Sequence, residues 1–175
     1  EWSVRASRNP VPRVLMIIAG PTMNCGSGMV VEALARQHQK VGGSVAVSVA
    51  YIRPILPADM GLNDAALIDT IIFTNKDSAD STLLIPVYSS GLPFNSLRYK
   101  DMKLVELIEF LEVYYQRLKF LIDEYQPDVI HTNHLFLLNP LVQLIAPWIP
   151  VVATTHGTDQ NMLDEDNRMA HFVVP

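Results

Sequence analysis

The sequence predicts a doubly wound α/β domain, a mostly parallel sheet with helices on both faces. Three observations carry that expectation. Short apolar runs alternate with segments of helical spacing. Nearly half of the 175 residues are apolar and only 18% are charged, which suits a sheet buried on both faces. Three of the apolar runs also end in small or polar residues, and in an open parallel sheet ligands bind at the carboxyl ends of the strands.

Residues 1–12 are polar, carry Pro10 and Pro12, and read as an arm. The first strand, 14–19, runs through Gly20 toward Cys25-Gly26-Ser27-Gly28. A helix is expected over 29–40, with Val30, Val31, Leu34, Ala35 and His38 at helical spacing. Gly42-Gly43 closes it. Residues 44–51 alternate Val45, Val47 and Val49 with small residues and complete a βαβ unit.

The stretch 53–81 is broken by Pro54, Pro57 and Gly61. Short strands are expected at 71–73 and 83–87, then a loop at 89–93. The strongest helical pattern is Leu104, Leu107, Ile108, Leu111, Tyr115, Leu118, Ile122 and Tyr125, stopped by Pro127. A strand over 128–132 follows, then an apolar helix over 135–146 with Pro140 near its first turn. The last clear strand, 149–153, leads into Thr154-Thr155-His156-Gly157-Thr158-Asp159. Tyr114, Tyr115 and Tyr125 read as core or helix surface rather than a stacking platform.

The totals bound the function. One domain of this length has a core large enough to fold alone. A formal net charge of −5 argues against nucleic acid as a partner. The single Cys25 excludes an internal disulfide and suits a reducing compartment. No apolar run reaches the roughly 18 residues of a transmembrane helix. Glu1-Trp2-Ser3 shows no basic-then-apolar leader, and a start other than Met suggests a processed chain or part of a longer one.

Each candidate site residue has a functional and a structural reading. Glycine lets a backbone approach a ligand, and amides at a helix start favour an anion, so Gly26, Ser27 and Gly28 are candidates for a phosphate. The alternative is a tight turn, since neither a full dinucleotide fingerprint nor a P-loop is present. His131 reads equally as a ligand or as a half-buried histidine bonded to backbone, and Asn133 shares its strand end. His131, His134 and His156 suggest zinc only weakly, because no acidic or thiol partner stands at ligand spacing. His156 follows a buried strand beside Gly157, where a mostly exposed ring suits function. Asp159 orients a sugar hydroxyl or, with Thr158, caps the next helix. Cys25 reads as a small loop residue.

Val31-Glu32-Ala33-Leu34-Ala35, Gln126-Pro127-Asp128-Val129-Ile130-His131 and Val152-Ala153-Thr154-Thr155-His156-Gly157-Thr158-Asp159, in that order, resemble a known pattern. It is that of the Rossmann-like amino-terminal domain of retaining GT-B glycosyltransferases, the large family of sucrose, mannosyl and lipopolysaccharide transferases. The resemblance spans about residues 13–160, with 161–175 starting a connecting segment. It implies a cytoplasmic enzyme of carbohydrate metabolism, peripheral at most to the inner face of a membrane, that transfers a hexose from a nucleotide sugar. His156 is implied to lie near the transferred sugar as the catalytic residue. Gly26 to Met29, His131, Asn133, Gly157, Thr158 and Asp159 are implied to line the donor and acceptor site. No metal and no cofactor are implied. Many relatives carry Gly-His where this chain has Gly42-Gly43, a difference of packing. The family's paired glutamates belong to a second, donor-binding domain that these residues do not match. The expected partners are therefore the donor, an unidentified acceptor and that domain, and the chain alone is expected to be inactive and prone to self-association. The rival readings are a standalone module binding a small anion or protein, and part of a nucleotide-sugar epimerase.

Overall fold

The computed structural model describes residues 11–20, 25–52, 61–63, 66–73, 86–87, 97–159 and 161. Among them the chain forms a five-stranded, all-parallel sheet. Its strands are β1 (Val14–Ile18), β2 (Val45–Ile52), β3 (Leu67–Phe73), β6 (Val129–Asn133) and β7 (Val151–Thr154), in the order β3-β2-β1-β6-β7. A separate two-stranded parallel pair joins β4 (Pro86–Val87) to β5 (Leu97–Arg98). The doubly wound α/β class expected from the sequence is the one observed.

Alternation along each strand sorts the core into two layers. Val14, Met16, Ile18, Val45, Val47 and Val49 face α1 (Gly26–Lys40), where Val31 and Ala35 meet them. Leu15, Ile17, Ala46, Ala50 and Ile130 face the other way. There they pack with α2 (Leu104–Tyr125) and α3 (Leu138–Ile145). On α2, Leu107, Phe110, Tyr114, Leu118, Leu121, Ile122 and Tyr125 are buried at three-four spacing. Each large apolar side chain so buried stabilises the fold by about 1.5–3 kcal/mol. Tyr114 and Tyr125 are thus core, and Tyr115 is exposed.

Local rules set the helix ends. Glu106 accepts the backbone N–H of Lys103 at 2.7 Å and starts α2. Gln126, at φ 51°, ends it, and Pro127 follows. Gly42, at φ 85°, turns the chain out of α1.

At the amino ends of the strands the elements are tied together. The Arg13 N–H donates to Asp128 Oδ2 at 2.8 Å, and the Asp128 N–H returns to the Arg13 carbonyl at 2.9 Å. The Arg13 guanidinium donates to the Tyr125 carbonyl and lies 4.7 Å over that ring. The Tyr125 hydroxyl in turn donates to Ser44 Oγ at 3.0 Å. This end is built for stability.

Several sequence expectations need correction. The helix expected from Met29 begins at Gly26, because Cys25 is its N-cap rather than a loop residue. The strand at 71–73 extends back to Leu67. Asp69 hid that extension; it is tolerated at 6% exposure because Arg117 of α2 pairs with it. The helix expected from 135 starts at Leu138, since His134 and Leu137 take positive φ values of 81° and 55° and fold a turn first. The last strand starts at Val151, because the Ile149 N–H is spent on the Ala146 carbonyl at 3.0 Å. The expected loop at 89–93, and most of 1–12, 53–66 and 161–175, lie outside the described residues.

Candidate functional site

The strand order places a switch point between β1 and β6. From β1 the chain winds through α1 to β2 on one side, and from β6 through α3 to β7 on the other. The two connecting helices lie on opposite faces, and in open parallel sheets of this kind ligands bind at the carboxyl ends at such a point. The start of α1 follows the end of β1, and the ends of β6 and β7 lie side by side at this same edge of the sheet. All sequence-predicted site residues fall on these three segments.

Asn133 ends β6 beside Ile18 of β1 and Thr154 of β7. It is 1% exposed, and neither its Oδ1 nor its Nδ2 has a hydrogen-bond partner among the described residues. A carboxamide offers two donors and one acceptor oxygen. Leaving such a buried group unpaired costs about 1–3 kcal/mol. His131, two residues earlier on the same face, is buried and bonded to Thr154 Oγ1 at 2.7 Å. Its partner is a side chain of the neighbouring strand, where the structural reading of this residue has a backbone group. Burial and the charge of His156 make the His131 ring harder to protonate than usual.

The chain leaves β7 at Thr154 and starts a helix at 157. Asp159 occupies the third helical position and caps that start: its Oδ2 accepts the His156 N–H at 2.6 Å. Its Oδ1 lies 3.2 Å from His134 Nδ1. Burial pushes the Asp159 carboxyl up. The hydrogen bond from His134, the His156 amide, the charge of His134 and the Leu135 amide outweigh it and hold the carboxyl below its usual range. With 1% exposure and both oxygens engaged, Asp159 follows the capping alternative.

His156 is partly buried, in place of the mostly exposed ring expected, because it packs on His134 with ring centroids 4.6 Å apart. Its Nε2 is buried and has no hydrogen-bond partner among the described residues. Burial and the charge of His134 lower its affinity for a proton, and Asp159 acts in the opposite sense. The ring is thereby favoured in the neutral form, able to accept or donate one hydrogen bond. Gly157 is exposed and Thr158 partly so.

At α1 the Gly28 N–H donates to Cys25 Sγ at 3.2 Å, and the Met29 N–H to the Cys25 carbonyl at 3.1 Å. Those two amides are used within the helix start, as the tight-turn reading has it, and are not free for an anion. Gly26 and Ser27 supply the first two amides, which no intrahelical carbonyl reaches. Gly28 is buried, as close packing of the helix requires, and Met29 is 60% exposed.

The structure brings together His131, Asn133, His156 and Asp159, and adds His134 and Thr154. His134 entered the sequence argument only as a metal ligand. The signal for its role was there: a histidine just past a strand end, with an aspartate three residues after another histidine. Among the described residues no group of three or more His, Cys, Asp or Glu is disposed to hold a metal ion. None of the described helices is long and apolar enough to cross a membrane.

A model of Glycosyltransferase Family 4 matches residues 66–174. No protein of curated function matches the sequence. Among solved structures, the zinc-inhibited form of a teicoplanin deacetylase is similar, with 16% identity and a TM-score of 0.44 over 79% of this chain and 65% of that one. A deacetylase–teicoplanin complex is similar at 17% identity and a TM-score of 0.42, over 79% of this chain and 68% of that one. The chain thus spans just under two thirds of the length of the first of these structures.

Proposed function

The chain belongs to glycosyltransferase family 4, whose model covers more than half of it, and from that premise we propose that residues 13–160 are the amino-terminal, acceptor-side domain of a retaining GT-B transferase. The donor is a nucleotide sugar, and residues 161–175 lead toward the donor-binding domain. His156 acts at the transferred sugar. Asn133 and His131, with Gly157 and Thr158, line the sugar and acceptor side. The first amides of α1, at Gly26 and Ser27, lie toward the diphosphate.

One observation carries this reading. Asn133 and His156, at the ends of adjacent strands, each hold buried polar atoms that no described protein group satisfies. The other buried atoms without a hydrogen-bond partner among the described residues include Ser48 Oγ, Thr132 Oγ1 and Asp69 Oδ2 within the sheet and the Tyr114 hydroxyl on α2, none of them on the last residue of a strand. The Asn133 and His156 atoms stand at the edge where this fold takes ligands. A polyhydroxylated ring supplies donors and acceptors to both, and pairing them recovers the desolvation cost at each.

The chemistry follows from what each group can do. Negative charge grows on the leaving diphosphate as the glycosidic bond breaks, and preorganised amides stabilise it best in a site that excludes water. Helix amides supply part of that here, and the donor domain supplies the rest. A neutral His156 Nε2 presents one hydrogen bond to a sugar hydroxyl. It brings no formal charge near the developing oxocarbenium-like centre. Cytoplasmic residence, or attachment at the inner face of a membrane, fits this reading.

The test is nucleotide diphosphate release from a panel of nucleotide sugars, with the chain alone and with the protein carrying the donor domain. The expected result is turnover only with the donor domain present. Robust release by the chain alone would overturn the division of labour. No release from the two-domain protein with any sugar and acceptor would overturn the transferase assignment.

A further inference from the structure

We propose that His134 is a positioning residue: clamped by Asp159, it sets the ring of His156 at the end of β7. The proposal deepens the transferase reading and rests on it for the identity of the reaction.

His134 is placed at a cost. Its φ of 81° lies in the left-handed region, which only a few per cent of residues other than glycine occupy. Such backbone strain persists where the surroundings over-determine it. Here they do so three times. The His134 N–H donates to the Thr154 carbonyl at 3.0 Å, which ties the turn after β6 to the end of β7. Its Nδ1 lies 3.2 Å from Asp159 Oδ1, with both side chains almost wholly buried. Its ring rests on His156 at 4.6 Å between centroids, tilted by 47°.

Asp159 is the hub of this arrangement. One oxygen holds the His134 ring, and the other holds the His156 backbone. The backbone and the ring of His156 are therefore fixed by two residues that are fixed to each other. His156 Nε2 is buried and has no hydrogen-bond partner among the described residues, so the orientation of the ring decides what that atom faces. A reacting group held this way loses little freedom on binding, and misplacement by about 1 Å can cost on the order of a hundredfold in rate.

The titratable groups that act on His156 are His134 in the turn after β6 and Asp159 on its own helix start, and His156 in turn acts on His131 of β6. His134 disfavours the charged His156 ring and Asp159 favours it. Removing the His134 ring should thus shift the His156 titration upward.

The decisive variant is His134→Asn. Asparagine tolerates positive φ, and its Nδ2 stands close to where the histidine Nδ1 stood, so the bond to Asp159 is kept while the ring is lost. His134→Gly is the second variant, since glycine accepts this backbone without strain. The readouts are the His156 ring resonances and their pH titration by NMR, thermal unfolding, and kcat and KM of the two-domain protein. The expected result in both variants is a folded chain with changed His156 ring shifts and a raised midpoint. In the active protein, kcat should fall by about tenfold or more while KM changes by less than about threefold. Unchanged His156 resonances and midpoint in both folded variants would overturn the proposal. So would loss of folding in both, which would make His134 a folding residue. A two-domain wild type without turnover would remove the transferase reading, and the NMR result would still decide whether His134 positions His156.

Discussion

Asp159 and His156 are joined twice. The His156 N–H donates to Asp159 Oδ2 at 2.6 Å, and the Asp159 N–H donates to the His156 carbonyl at 2.9 Å. The carboxylate sits in the first turn of a helix, where negative charge is favoured by the exposed amides. The pair therefore fixes where the chain turns after β7, and with it where the histidine stands. A motif read as Thr-His-Gly-Thr-Asp is, physically, a strand end, a ring and the cap that holds the ring's backbone.

Acid should destabilise this edge before it reaches the rest of the fold. His131 and His156 both bind a proton less readily when folded than at their ordinary value of 6.5. The unfolded chain therefore takes up more protons in that window, and stability rises with pH there. The contribution of the two histidines is fully present above about pH 6.5 and is lost as the pH falls below it toward their folded values. Asp159 is shifted in the depressed direction, so its contribution persists until the pH falls below the ordinary carboxylate value of 3.8 and through its folded value. Thermal unfolding between pH 8 and about pH 5 should show a Tm that is level at the top and declines below about 6.5. A Tm that climbs on acidification through this window would contradict the lowered histidine values.

Gly43 should resist even the smallest side chain. A Cβ there would overlap the His38 ring, whose Nε2 is hydrogen-bonded to the Pro12 carbonyl at 2.8 Å. The ring must move, and the tie between α1 and the residue leading into β1 goes with it. Gly43→Ala should cost about 1–3 kcal/mol by denaturant unfolding. His38→Ala frees the space, so the double variant should be less destabilised than the sum of the two. Strict additivity would show that the ring and the glycine do not share that space.

Much of this molecule was legible because the signals were physical. The three-four spacing on α2 names the residues that the core buries, and Pro127 stops the helix next to the αL Gln126. The alternation of Val45, Val47 and Val49 gives β2 and the face it presents to α1. What could not be read depended on partners far along the chain. Asp69 hid half of β3 because its partner, Arg117, lies 48 residues away. Cys25 looked like a loop residue because a thiol is an uncommon N-cap, yet its Sγ takes the Gly28 amide. The structural reading of His131 has it bond backbone, because nothing local shows that Thr154, 23 residues on, lies opposite it. The positions of the site residues at the strand ends were legible from the pattern of runs. Their mutual contacts needed the register between β6 and β7.

His156 is expected to matter more to transfer than to folding. Its ring packs on His134, and its Nε2 makes no hydrogen bond among the described residues. Removing the ring removes a buried unpaired atom, which offsets part of the lost contact. His156→Ala should therefore change stability by no more than about 1 kcal/mol. The backbone N–H that Asp159 caps is unaffected, because alanine keeps it. In the two-domain protein the same variant should lower turnover more than about tenfold, or about 1.4 kcal/mol of transition-state stabilisation. The two effects must be measured on one sample, by thermal unfolding and by steady-state kinetics. A variant that unfolds far earlier yet turns over normally when folded would make His156 a packing residue and overturn its catalytic assignment.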